Sequence, residues 1–125
     1  MLRSAILAPV LAFGLLCLPG LAAAHEPSPG PNGGLTVDAG DGHAELVLNG
    51  TTTVTVYLFD ANEVPVSADG WTGQATLILD GAAQRFPLAG QGMVLKGEAP
   101  AAVPAGTKGA LRLTGPAGQT AVATY

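Results

Sequence analysis

The two histidines of the chain, His25 and His43, are the side chains whose type and position best suit metal chemistry. After cleavage behind Ala24, His25 would be the amino-terminal residue and would chelate through its α-amine and its ring. The ring of His43 would add a third nitrogen, which suits the tetragonal nitrogen and oxygen ligation of copper(II). Glu45 lies two residues further along the same predicted strand face and would add an oxygen. The sequence therefore predicts a metal site of His25, His43 and Glu45, with copper(II) as the candidate ion.

A plainer interpretation of the same residues competes with the metal site. His25 would then simply follow a cleavage site in a disordered end, and His43 and Glu45 would be solvated strand residues. Met93 has a sulfur that suits copper, but strand alternation predicts that Met93 faces the core together with Leu95.

No catalytic constellation is visible in the sequence. Ser28 and Ser67 lie on predicted loops, and neither has the Gly-x-Ser-x-Gly elbow of a nucleophile. The aspartates are scattered over predicted turns, where turn chemistry alone explains them. The glycines lie at turns and in the arm rather than in a phosphate-binding loop. We therefore expect a non-catalytic protein.

The first 24 residues are predicted to be a secretory signal peptide. A short positive start that includes Arg3 precedes an apolar run, and Ala22-Ala23-Ala24 supplies a small-residue cleavage site. Cys17 would leave with this segment, so no disulfide is expected in the mature chain. The composition is rich in Ala, Gly, Pro and Val, which is typical of a GC-rich bacterial gene, and the expected compartment is the periplasm.

Charge and length restrict the partners and the architecture. The chain of 125 residues has a formal net charge of −4, and an acidic, lysine-poor protein is a poor candidate for nucleic acid or for an anionic membrane surface. We expect no membrane association after signal cleavage. The remaining length makes one small domain. Residues 25–34 are predicted to be a flexible, extended Pro/Gly-rich arm, and residues 35–125 are predicted to be the folded domain.

Three turn signals predict hairpins with definite registers. At Asn49-Gly50 a two-residue loop would place apolar and polar side chains together on each face of the hairpin. A three-residue loop, Leu48-Asn49-Gly50, instead gives one buried and one wet face. The three-residue loop pairs Ala44 with Val54 and places His43 and Glu45 on the wet face. At Asp80-Gly81 a two-residue loop pairs Ala75 with Phe86. The turn at residues 115–118 would make Leu111 face Val122.

Short strands between these turn signals make up the whole predicted domain. About seven to eight strands at intervals of eight to twelve residues, with no helical period, indicate an all-β sandwich or barrel. Our first choice is an immunoglobulin-like antiparallel β-sandwich without the Cys…Trp…Cys signature. Tyr57, Phe59 and Trp71 would pack within it, or would form an aromatic surface for a sugar or a protein.

Several short motifs resemble those of one family of small secreted bacterial β-proteins. The motifs are Asn32-Gly33-Gly34, Gly42-His43-Ala44-Glu45-Leu46-Val47, Val56-Tyr57-Leu58-Phe59-Asp60 and Pro65-Val66. In that family a His-Gly-Gly arm precedes a strand of the Gly-x-x-(Ala/Leu)-Glu-(Leu/Val)-Val type, and Asn32 stands where the family has the histidine. The resemblance implies a periplasmic accessory of heavy-metal, especially copper, resistance and efflux, similar to the β-domains of metal-efflux adaptor subunits.

Two functions of different classes follow from these observations. The first is a periplasmic, non-catalytic metal-binding or metal-efflux accessory protein, whose partners are a metal ion and a periplasmic metal-efflux component. The second is a structural or interaction module that binds a protein or glycan partner through a sheet face or an edge strand.

Overall fold

The computed structural model describes residues 25–125, which form ten β-strands. The predicted signal peptide, with Cys17, lies outside the described residues. In chain order the strands are β1 (Ser28–Pro29), β2 (Leu35–Ala39), β3 (Gly42–Val47), β4 (Thr53–Phe59), β5 (Pro65–Val66), β6 (Thr72–Leu79), β7 (Ala82–Gln91), β8 (Val94–Glu98), β9 (Gly109–Thr114) and β10 (Thr120–Thr124). Over this part of the chain there is no helix, and so none that is long and apolar enough to cross a membrane.

All pairings between the strands are antiparallel, and they join the strands into one curled sheet. The order across the sheet is β1-β2-β3-β4-β8-β7-β6-β9-β10, with β5 paired to the end of β4. The sheet curls until β10 lies against β2. Eight of the strands have five or more residues. The predicted all-β antiparallel class is therefore confirmed.

The core fills the inside of the curl with alternate residues of the strands. Its largest fully buried apolar side chains are Leu77, Leu95, Leu111, Leu113, Val54, Val56 and Val103. Burying a side chain of this size contributes about 2 kcal/mol relative to leaving it exposed. The Tyr125 hydroxyl donates a buried hydrogen bond of 2.8 Å to the carbonyl of Ala44 on β3, which ties the end of the chain to the far side of the sheet.

The predicted register of the β3–β4 hairpin is wrong, although its faces are right. Ala44 pairs with Leu58 rather than with Val54, so a connection of five residues, Leu48 to Thr52, joins the strands. Within this connection the amide of Gly50 donates to the carbonyl of Val103, so the loop is held open by another segment. The shift is four residues, an even number, so every side chain keeps its predicted side of the sheet, although Glu45 on the side predicted to be wet is fully buried.

The other two predicted hairpins have opposite outcomes. The two-residue loop at Asp80-Gly81 is confirmed, because Ala75 pairs with Phe86 and both loop residues have positive φ, as a type I′ turn requires. The β9–β10 register is wrong by one residue, since Leu111 pairs with Ala123 and Arg112 with Val122. The predicted turn is present, but one further residue, Gln119, widens the connection to five, so that Val122 points outward.

Met93 does not face the core. It lies in the turn before β8, directly after Gly92 with its positive φ, and its side chain is exposed. Leu95 is fully buried as predicted. The strand was expected to include Met93, but β8 begins one residue later, at Val94.

Candidate functional site

The arm from His25 to Gly34 runs along the edge of the sheet. Its short strand β1 pairs with β2, with Ser28 opposite Thr36 and Pro29 opposite Leu35. Pro29 has no backbone N–H to donate to a neighbouring strand. Proline is therefore tolerated in an edge strand such as β1. Beyond β1 the chain turns back on itself, and the amide of Gly30 donates to the carbonyl of Gly34. The arm thus covers the outer face of β3.

Glu45 fastens this turn of the arm. Its side chain is fully buried, and its carboxylate accepts hydrogen bonds from the Asn32 amide (2.8 Å), the Asn32 Nδ2 (2.9 Å) and the Gly34 amide (2.9 Å). A Cβ at Gly30 would overlap the Glu45 carboxyl group, so only glycine allows this approach. The residue predicted to supply a metal ligand is instead enclosed by the arm.

Asp38 brings the two histidines together. Its Oδ2 lies 2.9 Å from Nδ1 of His25, and its Oδ1 lies 3.3 Å from Nε2 of His43. The His25 side chain is 86% exposed, whereas that of His43 is 27% exposed. The hydrogen bond from His25 holds the pKa of Asp38 below its usual value. The arm therefore delivers His25 to the strand pair that carries His43.

The strand register explains why Asp38 meets His43. The hairpin of β2 and β3 turns at Gly40-Asp41, which places Asp38 directly opposite His43. On its other side, Nδ1 of His43 lies 3.4 Å from the carbonyl oxygen of Asp60. A backbone carbonyl at one ring nitrogen orients the imidazole and leaves the other nitrogen for a ligand.

Further oxygen donors surround the two histidines. A shallow cleft of about 440 Å³ is lined by His25, Glu26, Asp38, His43 and Glu63, together with Ser28, Thr36 and Val37. Glu63 has a φ of 61°, an unusual conformation for a residue with a side chain. Thr36 also lines this cleft, but its hydroxyl is buried from solvent and has no hydrogen-bond partner within residues 25–125.

The side chains of residues 25–125, as they stand, include no group of three or more His, Cys, Asp or Glu arranged to hold a metal ion. His25 hydrogen-bonds to Asp38 and His43 lies in ion-pair contact with it, so the two rings do not converge on one empty point. The structure therefore joins His25 and His43 through Asp38, and it directs Glu45 to the arm.

A second cleft, on the other side of His43, is mostly apolar. It has a volume of about 410 Å³, and its walls include Leu58, Phe59, Val66 and Trp71. Trp71 also packs against the core. Two of the three aromatic residues singled out in the sequence thus share a cleft with His43.

Comparisons with known proteins add no relative to this picture. The chain matches no protein-family model, and neither a curated protein nor a solved structure is significantly similar to it. The resemblance to metal-resistance proteins therefore rests on the short motifs alone.

Proposed function

We propose that the protein is a periplasmic, non-catalytic metal-binding or metal-efflux accessory, with copper(II) as its first candidate ion. The observation that carries the proposal is the position of Asp38, whose two carboxylate oxygens contact His25 and His43. Because both contacts end on one carboxylate, the two imidazoles are neighbours, and a turn of the exposed His25 ring would bring both to the metal–nitrogen bond length of about 2 Å from one ion.

The proposed ligands are the ring of His25, the ring of His43 and the carboxylate of Asp38. Cleavage after Ala24 would add the α-amine of His25 as a third nitrogen. Nitrogen and oxygen donors in this ratio suit copper(II). Glu45 is a positioning residue in this proposal, because its hydrogen bonds to Asn32 and Gly34 hold the arm that carries His25.

The surroundings of the site support a cation as the ligand. Glu26 and Glu63 line the same cleft as the histidines and add negative charge near the ion. The high exposure of His25 lets its ring turn from Asp38 to an ion without disturbing the core.

Copper titration of correctly processed protein tests the proposal. Calorimetry should give one equivalent of copper, and electron paramagnetic resonance should show ligation by three nitrogens, of which His43→Ala removes one and thereby weakens binding. One extra residue before His25 should also weaken binding, since it moves the α-amine. Asp38→Asn should weaken binding, whereas Asp41→Asn, in the adjoining turn, should not. Equal copper binding by wild type and His43→Ala would refute the proposal.

The compartment and the finer architecture belong to the same proposal. The apolar segment that ends at Ala24 supports export to the periplasm. We infer that the curled sheet is an immunoglobulin-like β-sandwich, in which the part around β2 to β4 faces the part around β6 to β10. The contact of β10 with β2 and the bond from Tyr125 to Ala44 support this arrangement.

A second function is an interaction module for a protein or glycan partner. The apolar cleft beside His43 favours it, because Phe59 and Trp71 offer aromatic surface in a space of small-ligand size. Under this function Trp71→Ala would weaken partner binding, and copper would bind no better to wild type than to His43→Ala.

A further inference from the structure

The basic residues of the described chain all lie in one half of the sheet. They are Arg85 on β7, Lys96 on β8, Lys108 just before β9, and Arg112 on β9, and all four are exposed. The strand residues that alternate with them, such as Phe86, Leu95 and Leu111, are buried in the core. The three cations on strands, Arg85, Lys96 and Arg112, therefore project from the outer face of the curled sheet.

Arg85 and Arg112 stand on either side of the central strand β6. Arg85 pairs with Thr76, and Arg112 pairs with Gln74, which is two residues earlier on β6. Strand spacings of about 4.8 Å and rises of about 3.3 Å per residue put the two arginine Cα atoms about 12 Å apart. Arginine side chains are long enough to approach the same point from that separation. Between them the hydroxyl of Thr76 and the amide of Gln74 offer further donors.

These side chains line one shallow cleft. Its volume is about 420 Å³, and Gln74, Thr76, Arg85 and Arg112 are joined there by Ala110, Leu111 and Val122. No acidic residue lines the cleft. Across residues 25–125, moreover, the ion pairs involve only His25, His43 and Asp38, so neither arginine has a carboxylate partner.

Unpaired arginines are notable in so acidic a protein. All nine Asp and Glu residues lie in the described part of the chain, and Glu26, Asp38, Asp60 and Glu63 are grouped near the histidines at the other side of the sheet. Asp80 in the β6–β7 turn and Glu98 on β8 lie in the same half of the sheet as the arginines, but neither forms an ion pair with them. Two planar, fork-shaped cations are therefore free for an external oxyanion, which is the ligand geometry that arginine suits best.

We propose that the outer face of β6, β7 and β9 is an oxyanion-binding site, in which Arg85 and Arg112 bind a phosphate or a polycarboxylate. The two guanidinium groups supply the charge, and Thr76 and Gln74 supply neutral hydrogen bonds to the remaining oxygens. A ligand with two or more negative charges fits best, because it engages both arginines at once. This site is separate from the proposed copper site, and neither depends on the other.

Nuclear magnetic resonance titration of metal-free protein at constant ionic strength tests this site. Inorganic phosphate and citrate are the two probes, and chloride is the reference. Saturable shifts should centre on Gln74, Thr76 and Arg112. Arg85→Gln and Arg112→Gln should each weaken binding at least about fivefold, since each removes a charge-assisted bidentate contact. Lys96→Gln removes an equal charge from the same outer face, away from the cleft, and should change the affinity less than about twofold.

The outcomes separate the ligand classes and can overturn the site. Saturable binding of phosphate alone identifies a phosphoryl ligand, binding of citrate alone identifies a carboxylate ligand, and binding of both supports a general oxyanion site. The absence of saturable shifts with either probe would overturn the proposal. So would an equal loss in Lys96→Gln and Arg112→Gln, because that pattern indicates attraction to net charge rather than a site. Circular dichroism of each variant verifies that the sheet is intact.

Discussion

Removal of the Glu45 carboxylate should release the arm from the sheet. Glu45 is fully buried. Its carboxylate oxygens accept hydrogen bonds from the Asn32 amide, the Asn32 side chain and the Gly34 amide. No lysine or arginine in the described chain pairs with Glu45, so its charge is stabilised by these N–H dipoles alone. The arm and the carboxylate therefore depend on each other.

The magnitude follows from the number of donors. In Glu45→Ala three donors lose their acceptor, and each such loss costs about 1–3 kcal/mol when the donor stays buried. Detachment of the arm lets water replace the carboxylate and limits the loss, so we expect the free energy of unfolding to fall by about 3 kcal/mol. Glu45→Gln keeps the shape and one acceptor oxygen, and we expect it to cost about half as much, because only the charge-assisted part is lost.

Two measurements follow the arm directly. Urea denaturation gives the change in the free energy of unfolding, and amide hydrogen exchange shows where the structure opens. The Asn32 and Gly34 amides should exchange much faster in Glu45→Ala, whereas the Ala75 amide within β6 should keep its protection. Copper affinity should fall about tenfold, since the competent position of His25 is then only partly populated.

Unchanged exchange at Asn32 and Gly34 would refute this reasoning, because it would mean that other contacts hold the arm. A loss of protection throughout the sheet would also contradict it, since Glu45 would then support the whole fold rather than the arm. Thr53→Ala is a suitable control, because it removes a single exposed hydrogen bond to Glu98 on the same outer face.

Three further predictions address the arm, the core and the alkaline limit of stability. Gly30→Ala should mimic Glu45→Ala in hydrogen exchange, because the added Cβ overlaps the Glu45 carboxyl group; normal protection would contradict that overlap. Leu95→Ala should lower the free energy of unfolding by about 2–5 kcal/mol, whereas the exposed Met93→Ala should change it by less than about 0.5 kcal/mol in the same urea assay. Burial, and then the charge of Glu45, raise the pKa of Tyr125 in the folded protein. As the pH rises, the Tyr125 hydroxyl therefore loses its proton in the unfolded chain before it does so in the folded one, and wild-type stability should fall above about pH 10. Tyr125→Phe should lack that alkaline fall in a pH series of thermal melts, while it loses about 1 kcal/mol at neutral pH with the hydrogen bond to Ala44.

Side-chain alternation predicted the faces of the strands better than it predicted their partners. Ala44, Leu46, Val54 and Val56 are buried as expected, even though the β3–β4 register is shifted. Periodicity fixes whether a residue faces in or out, but the partner depends on the loop, and Val103 determines that loop from a distance in sequence. At Asp80-Gly81, where two residues alone make the loop, the register was also right, whereas Gln119, which extends the loop after the turn at residues 115–118, shifts the β9–β10 register by one residue.

The candidate site was predictable in part. The proximity of His25 to the strand of His43 was a hypothesis from the sequence, but the residue between them, Asp38, was not singled out. A signal was present, since a two-residue turn at Gly40-Asp41 places Asp38 opposite His43. Glu45 was assigned to the wet face because alternation cannot reveal that a chain segment from elsewhere covers that face.

The environment of Asn32 bears on the one motif position at which this chain departs from the family that it resembles. Asn32 directs both its amide and its Nδ2 to Glu45, in the turn of the arm, whereas the two histidines meet at Asp38 beyond β1. Asn32 thus serves the attachment of the arm, and His25 and His43 are left as the nitrogen donors of the proposed copper site.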